Sequence, residues 1–152
     1  ALIILCCLVG LVLLLVLGVR AYFRLPVRDY YKNSEKAFVI PGLSGGMIHQ
    51  GLAYDSASDT FFITGYRTDG AASQVSLVSR ADGKEIKRLN LAGEEHAYTG
   101  HVGGITVGKD FVYVASSKGL VAFHRADFAS AKSGESVRAV GTFSTETADD
   151  SL

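Results

Sequence analysis

The first nineteen positions hold no polar alternation at all. From Ala1 to Val19 the chain is almost wholly Leu, Ile and Val, broken only by Ala1, Cys6, Cys7, Gly10 and Gly18, with no charged, amide, hydroxyl or imidazole side chain. A helix of nineteen residues is about 28 Å long, close to the thickness of a hydrocarbon core. In lipid a lone span must satisfy its backbone internally, so this run predicts a transmembrane helix over 1–19. A core helix of a soluble domain would carry a polar face. A cleaved signal peptide has a shorter apolar run and a small-x-small site, whereas this run closes on Leu17-Gly18-Val19-Arg20. Lipid attachment at Cys6 or Cys7 is disfavoured by the bulky Leu5 ahead of them. The reading is an uncleaved signal anchor, with the lipid bilayer as partner through residues 1–19.

From residue 38 the pattern changes to short apolar runs between turn residues, which predicts strands. Candidate strands cover 51–54, 60–64, 74–80 and 85–91, with Asp82-Gly83 as a hairpin signal between the last two. The unit then recurs. Gly51-Leu52-Ala53-Tyr54 aligns with Gly104-Ile105-Thr106-Val107, residues 59–64 align with 109–114, and VSLVSRAD at 75–82 aligns with LVAFHRAD at 120–127. The offsets are 53, 50 and 45 positions. A last strand is expected over 137–143, and Phe38-Val39-Ile40 as an outer strand of a unit completed elsewhere. A small β-sandwich is the competing architecture, since its strands also recur every 8–12 residues. Ordered repetition favours two four-stranded propeller blades.

Composition and charge refine this division. The net charge is zero, yet residues 20–36 carry +3 through Arg20, Arg24, Arg28, Lys32 and Lys36 against Asp29 and Glu35. Tyr22, Phe23, Tyr30 and Tyr31 are interleaved, as at a membrane interface. Residues 20–37 therefore read as a juxtamembrane stalk, attracted to lipid headgroups rather than to nucleic acid. With both cysteines in the apolar run, the β region can hold no disulfide. The expected organisation is a span at 1–19, the stalk at 20–37, β-propeller blades at 38–143, and a polar start of a continuation at 144–152. Two blades cannot close a ring, so the chain reads as a fragment of a longer protein.

Gln50-Gly51-Leu52-Ala53-Tyr54-Asp55 resembles the P-x-G-[IL]-A-x-D opening of blades in six-bladed propellers of the NHL-repeat, gluconolactonase-like and strictosidine-synthase-like types. Ser79-Arg80-Ala81-Asp82-Gly83-Lys84 resembles the turn that ends such blades. His49 stands where that opening usually has Pro, and Gly108 where it has Asp. The resemblance implies a ring whose first strands line a central channel, with ligands at its mouth and the domain outside the cytoplasm. Some members hydrolyse lactones or esters around calcium, and many only bind proteins, peptides or glycans. Fold alone leaves that choice open.

On that frame His49 and Gln50 precede one first strand and His101 the other, so His49 and His101 are expected at the same rim, with Tyr98 and Arg67 close by. His and Tyr at a mouth suit ligand contacts, or simply fill polar loops. No zinc-like spacing exists. Asp69 is a weak candidate for calcium, set against its role in the Asp69-Gly70 turn, and 55–59 reads as a hairpin rather than a calcium loop. The expectation is a membrane-anchored module binding a protein, peptide or glycan at the channel mouth, without catalytic residues or cofactor. The alternative is a calcium-dependent lactonase or esterase.

Overall fold

The computed structural model describes residues 2–117 and 119–144, in two compact units that divide between Ala37 and Phe38. Of the stretch 144–152, read above as the start of a continuation, residues 145–152 lie outside the described residues.

The first unit is helical. Helix α1 spans Leu2–Arg24 and buries no side chain. It is long and apolar enough to cross a membrane. It runs five residues past the expected Val19, because Arg20 to Arg24 contains no helix breaker and only Pro26 stops it. After a turn closed by Val27 N–H donating to the Arg24 carbonyl, helix α2 covers Arg28–Asn33.

The second unit is mostly sheet. Its strands are β1 (Met47–Asp55), β2 (Thr60–Arg67), β3 (Gln74–Ser79), β4 (Glu85–Ala92), β5 (Ile105–Val107), β6 (Phe111–Ser116), β7 (Gly119–His124) and β8 (Ser136–Phe143). Strands β1–β4 and β5–β8 each form an antiparallel meander, so the repeat is real as supersecondary structure. The two meanders do not stand apart as blades. β4 pairs with β8 in parallel, giving one eight-stranded sheet in the order β1-β2-β3-β4-β8-β7-β6-β5. Its edge strands β1 and β5 come side by side, and Thr64 Oγ1 of β2 donates across them to the carbonyls of Val102 and Gly103, at 3.1 and 2.9 Å. The result is a nearly closed, barrel-like sheet, and the expectation of two separate blades is corrected accordingly.

Alternation decides what lies inside. Phe62, Val75, Leu77, Leu89 and Leu91 from the first meander face Val112, Val114, Val121, Phe123 and Val137 from the second, forming one core. Between Leu91, Tyr98, Val102 and Phe123 there is no space for a water molecule, so side chains fill this interior.

One core element was not expected. Arg125-Ala126-Asp127 does not repeat the Arg80-Ala81-Asp82 turn. It opens helix α3 (Arg125–Ser130), which drops Phe128 into the core beside Phe62 and Phe123 at ring distances of 5.7 and 6.0 Å. Lys87 Nζ donates to the Ala129 and Ala131 carbonyls at 2.9 and 2.8 Å, satisfying the helix end from β4. The predicted strand over Phe38-Val39-Ile40 is also absent, and residues 34–40 join no ladder.

Candidate functional site

Registers identify which positions of the two meanders are equivalent. Inward Phe62 pairs with Leu77 and Ala53, and inward Val112 pairs with Phe123 and Val107. Equivalent residues therefore lie 54, 50 and 46 positions apart in the first, second and third strands. Two of the three offsets read from the sequence are one short, and a shift of one moves a side chain to the opposite face. His124 thus matches Val78, not Ser79, and faces outward.

The outer faces of the two meanders differ in cover. On the first, the segment 38–46 lies across the sheet. The Phe38 ring sits 5.4 Å from that of Phe61, which also meets Tyr54 at 5.3 Å. Phe38 presses on Gly83, whose φ of +67° and lack of a side chain admit it. Gly42, at φ +87°, passes over the Arg88 guanidinium. Ile63, Val78 and Ser76 are consequently buried although they point away from the main core. Beneath, Arg88 bonds Glu85 and Ser76.

On the second meander no described residue covers the corresponding face. Phe111, Tyr113, His124, Val140, Gly141 and Phe143 line a groove of about 360 Å³. Phe111, the equivalent of Phe61, stacks on His124 at 5.1 Å and lies 6.1 Å from Tyr113. Val140 and Phe143 are half exposed. The signal that finds the groove is alternation in Phe111-Val112-Tyr113, once the correct register fixes its sides.

The expected rim residues separate. His101 stacks on Tyr66 at 4.1 Å, and the Tyr98 hydroxyl donates to the His101 carbonyl at 3.3 Å. His49 is not with them. It lies under the 38–46 segment near Arg88 and Glu85, with both ring nitrogens buried and without a partner in hydrogen-bond geometry. Burial lowers its pKa; the Pro41 carbonyl and Glu85 oppose that shift, while Arg88 adds to it. Gln50 is exposed at the bulge of β1, where the pairing shifts between His49 and Gly51. Arg67 Nε donates to Asp69 Oδ1 at 3.0 Å, and the Ala71 N–H donates to the same oxygen. The Arg67 bond first, then the Ala71 N–H, hold the Asp69 carboxyl down to about 2. Asp69 is thus engaged in its own turn. Among the described residues no three His, Cys, Asp or Glu side chains come together as a metal site.

The opposite end carries the bond that ties the meanders together there. Asp55 accepts from Arg125 at 2.7 Å, from Ser58 at 2.6 Å and from the Ala57 N–H at 3.2 Å. Burial alone would raise its pKa, but Ser58, Ala57 and the Arg125 charge together bring it below 3.8. A carboxyl lowered in the folded state adds stability at pH above its unfolded value and loses it as pH falls through the folded one. Asp55→Asn is expected to cost about 2 kcal/mol near neutral pH, because Arg125 is left without its counter-charge. Urea melts of both proteins should converge as the pH drops below about 4. A constant gap down to the acid limit would show that shape, not charge, sets the cost.

No family model matches this chain, and neither a curated protein nor a solved structure is significantly similar to it.

Proposed function

We propose that this chain is a membrane-tethered binding module whose β domain takes up an extended segment of a partner protein or peptide. The observation that carries it is the unequal cover of two equivalent faces. On the first meander a segment of the chain itself lies across the sheet, its Phe38 against Phe61. On the second, the equivalent Phe111 lines an open groove of about 360 Å³, and none of the described residues lies across it. An open aromatic groove of that size suits an apolar peptide anchor.

Ligand contact at a channel mouth has less support, since the interior between the meanders is filled. The Tyr66–His101 stack offers a platform for a glycan at that end. The calcium-dependent hydrolase finds no assembled donor set among the described residues. The propeller reading rests on the blade-opening motif and on the ordered repeat. An extracytoplasmic domain follows from that resemblance, while the basic residues after the span pull toward the cytoplasmic side. Protease protection in intact cells decides between them.

The binding test uses the full chain in nanodiscs and a panel of ten-residue peptides that includes AFVIPGLSGG, the sequence of residues 37–46. Saturable binding is expected. A Cβ at Gly141 meets nothing within 4 Å, so Gly141→Val fills the groove without straining the fold. It should weaken binding at least about tenfold at an unchanged melting temperature, as should Phe111→Ala at some cost in stability. Wild-type affinity in both variants, or no saturable peptide, would defeat the proposal. Tight stoichiometric calcium binding by calorimetry would favour the hydrolase.

A further inference from the structure

We propose that the bend between α1 and α2 is a binding site for the phosphate of an anionic phospholipid; this rests on reading α1 as membrane-inserted. Arg20 and Arg24 are four residues apart on one face of α1. The turn at 25–27 brings Arg28 and Tyr31 of α2 to the same side, and the Arg24 guanidinium lies over the Tyr31 ring, 5.1 Å from its centre. Together Arg20, Arg24, Arg28 and Tyr31 line a groove of about 430 Å³, with Leu17 and Leu25 on its apolar side.

Two further facts select the ligand. None of the ion pairs among the described residues involves these arginines, and Asp29 is the one carboxylate in α2. Three convergent guanidinium forks therefore face solvent without an anion. Arg20 is the first charge after an apolar run of about 27 Å counted from Leu2, which sets the groove at headgroup depth. A phosphodiester at that depth meets bidentate donors, while Leu17 contacts the start of its acyl chains. A free phosphate would use the forks but not the apolar side.

Diffuse attraction of a basic stretch to an anionic surface depends on charge and is indifferent to Arg or Lys. A phosphate held in forks is not. The experiment reconstitutes the full chain in nanodiscs of phosphatidylcholine with a minor fraction of phosphatidylglycerol, and native mass spectrometry reads the lipid retained on the protein. The wild type is expected to keep phosphatidylglycerol in preference. The charge-conserving triple variant Arg20→Lys, Arg24→Lys, Arg28→Lys should lower that preference about fivefold or more, and Lys32→Gln with Lys36→Gln should leave it in place. Millimolar inorganic phosphate should not displace the lipid. Equal retention in the triple-Lys protein, or displacement by phosphate alone, overturns the site while α1 remains carbonate-resistant. Extraction of the wild type by carbonate would overturn the membrane reading and the site with it.

Discussion

Gly51→Val is expected to keep the β domain from folding, and Gly104→Val to leave it folded. The two glycines open matching segments in the sequence. In the fold they are not equivalent. Gly51 lies on β1 where the sheet closes, and a Cβ there would stand 2.1 Å from the Gly103 carbonyl oxygen and 2.5 Å from Thr64 Oγ1. Neither neighbour can yield cheaply. The carbonyl belongs to backbone that extends the β5–β6 ladder through Gly103 N–H donating to Ala115, and Thr64 is fully buried while bonding across the seam. A branched side chain must therefore part the edges of the sheet. That is expected to cost more than about 4 kcal/mol, a large fraction of what a small domain has. Gly104 has open space where its Cβ would go, and its φ is not positive, so valine should cost under about 1 kcal/mol. Denaturant melts of full-length protein, followed by far-UV circular dichroism, read both values. A cooperative, near-wild-type melt for Gly51→Val would mean that the seam is open in solution.

The same pair of glycines shows how far the sequence could be read. Composition and alternation located the strands, because runs such as Thr60–Thr64 and Gln74–Ser79 are bounded by turn residues that few other structures use. Pattern matching then aligned like letters, Gly51 with Gly104 and Arg80 with Arg125, where the fold aligns inward positions. The error of one position in the third strand hid that His124 shares the outward row of Phe111, and with it the groove. Helix α3 was missed for a different reason. Six residues give too few turns for a 3.6-residue period, and what fixes the helix is tertiary: Phe128 in the core and Lys87 at its end. The closure of the sheet through β4 and β8 was equally illegible. It depends on the loop before β8 docking on β4, with Gly134 N–H donating to Arg88 and Asn90 N–H to Glu135. Such backbone pairings leave no mark in side-chain patterning.

Deleting residues 1–19 is expected to move the protein from the membrane pellet to the supernatant. In the full chain α1 presents Leu, Ile and Val on every side, with no residue of the helix buried against protein. A helix apolar all round has no stable place in water, and lipid is the environment that covers all its faces at once. Each central Leu, Ile or Val favours insertion by about 0.3–0.6 kcal/mol, so the whole run contributes several kcal/mol. What remains after truncation is the basic stretch, worth about 1 kcal/mol per residue at an anionic surface and weakened by salt. The two contributions separate in one fractionation. The full chain should resist both carbonate and high salt. The truncated chain should come off in salt alone, its β domain still melting as before, since the units divide at Ala37 and Phe38. Retention of the truncated chain through both washes would mean that the β domain itself holds the membrane, and the open groove on its second meander would then be the first surface to test with lipid.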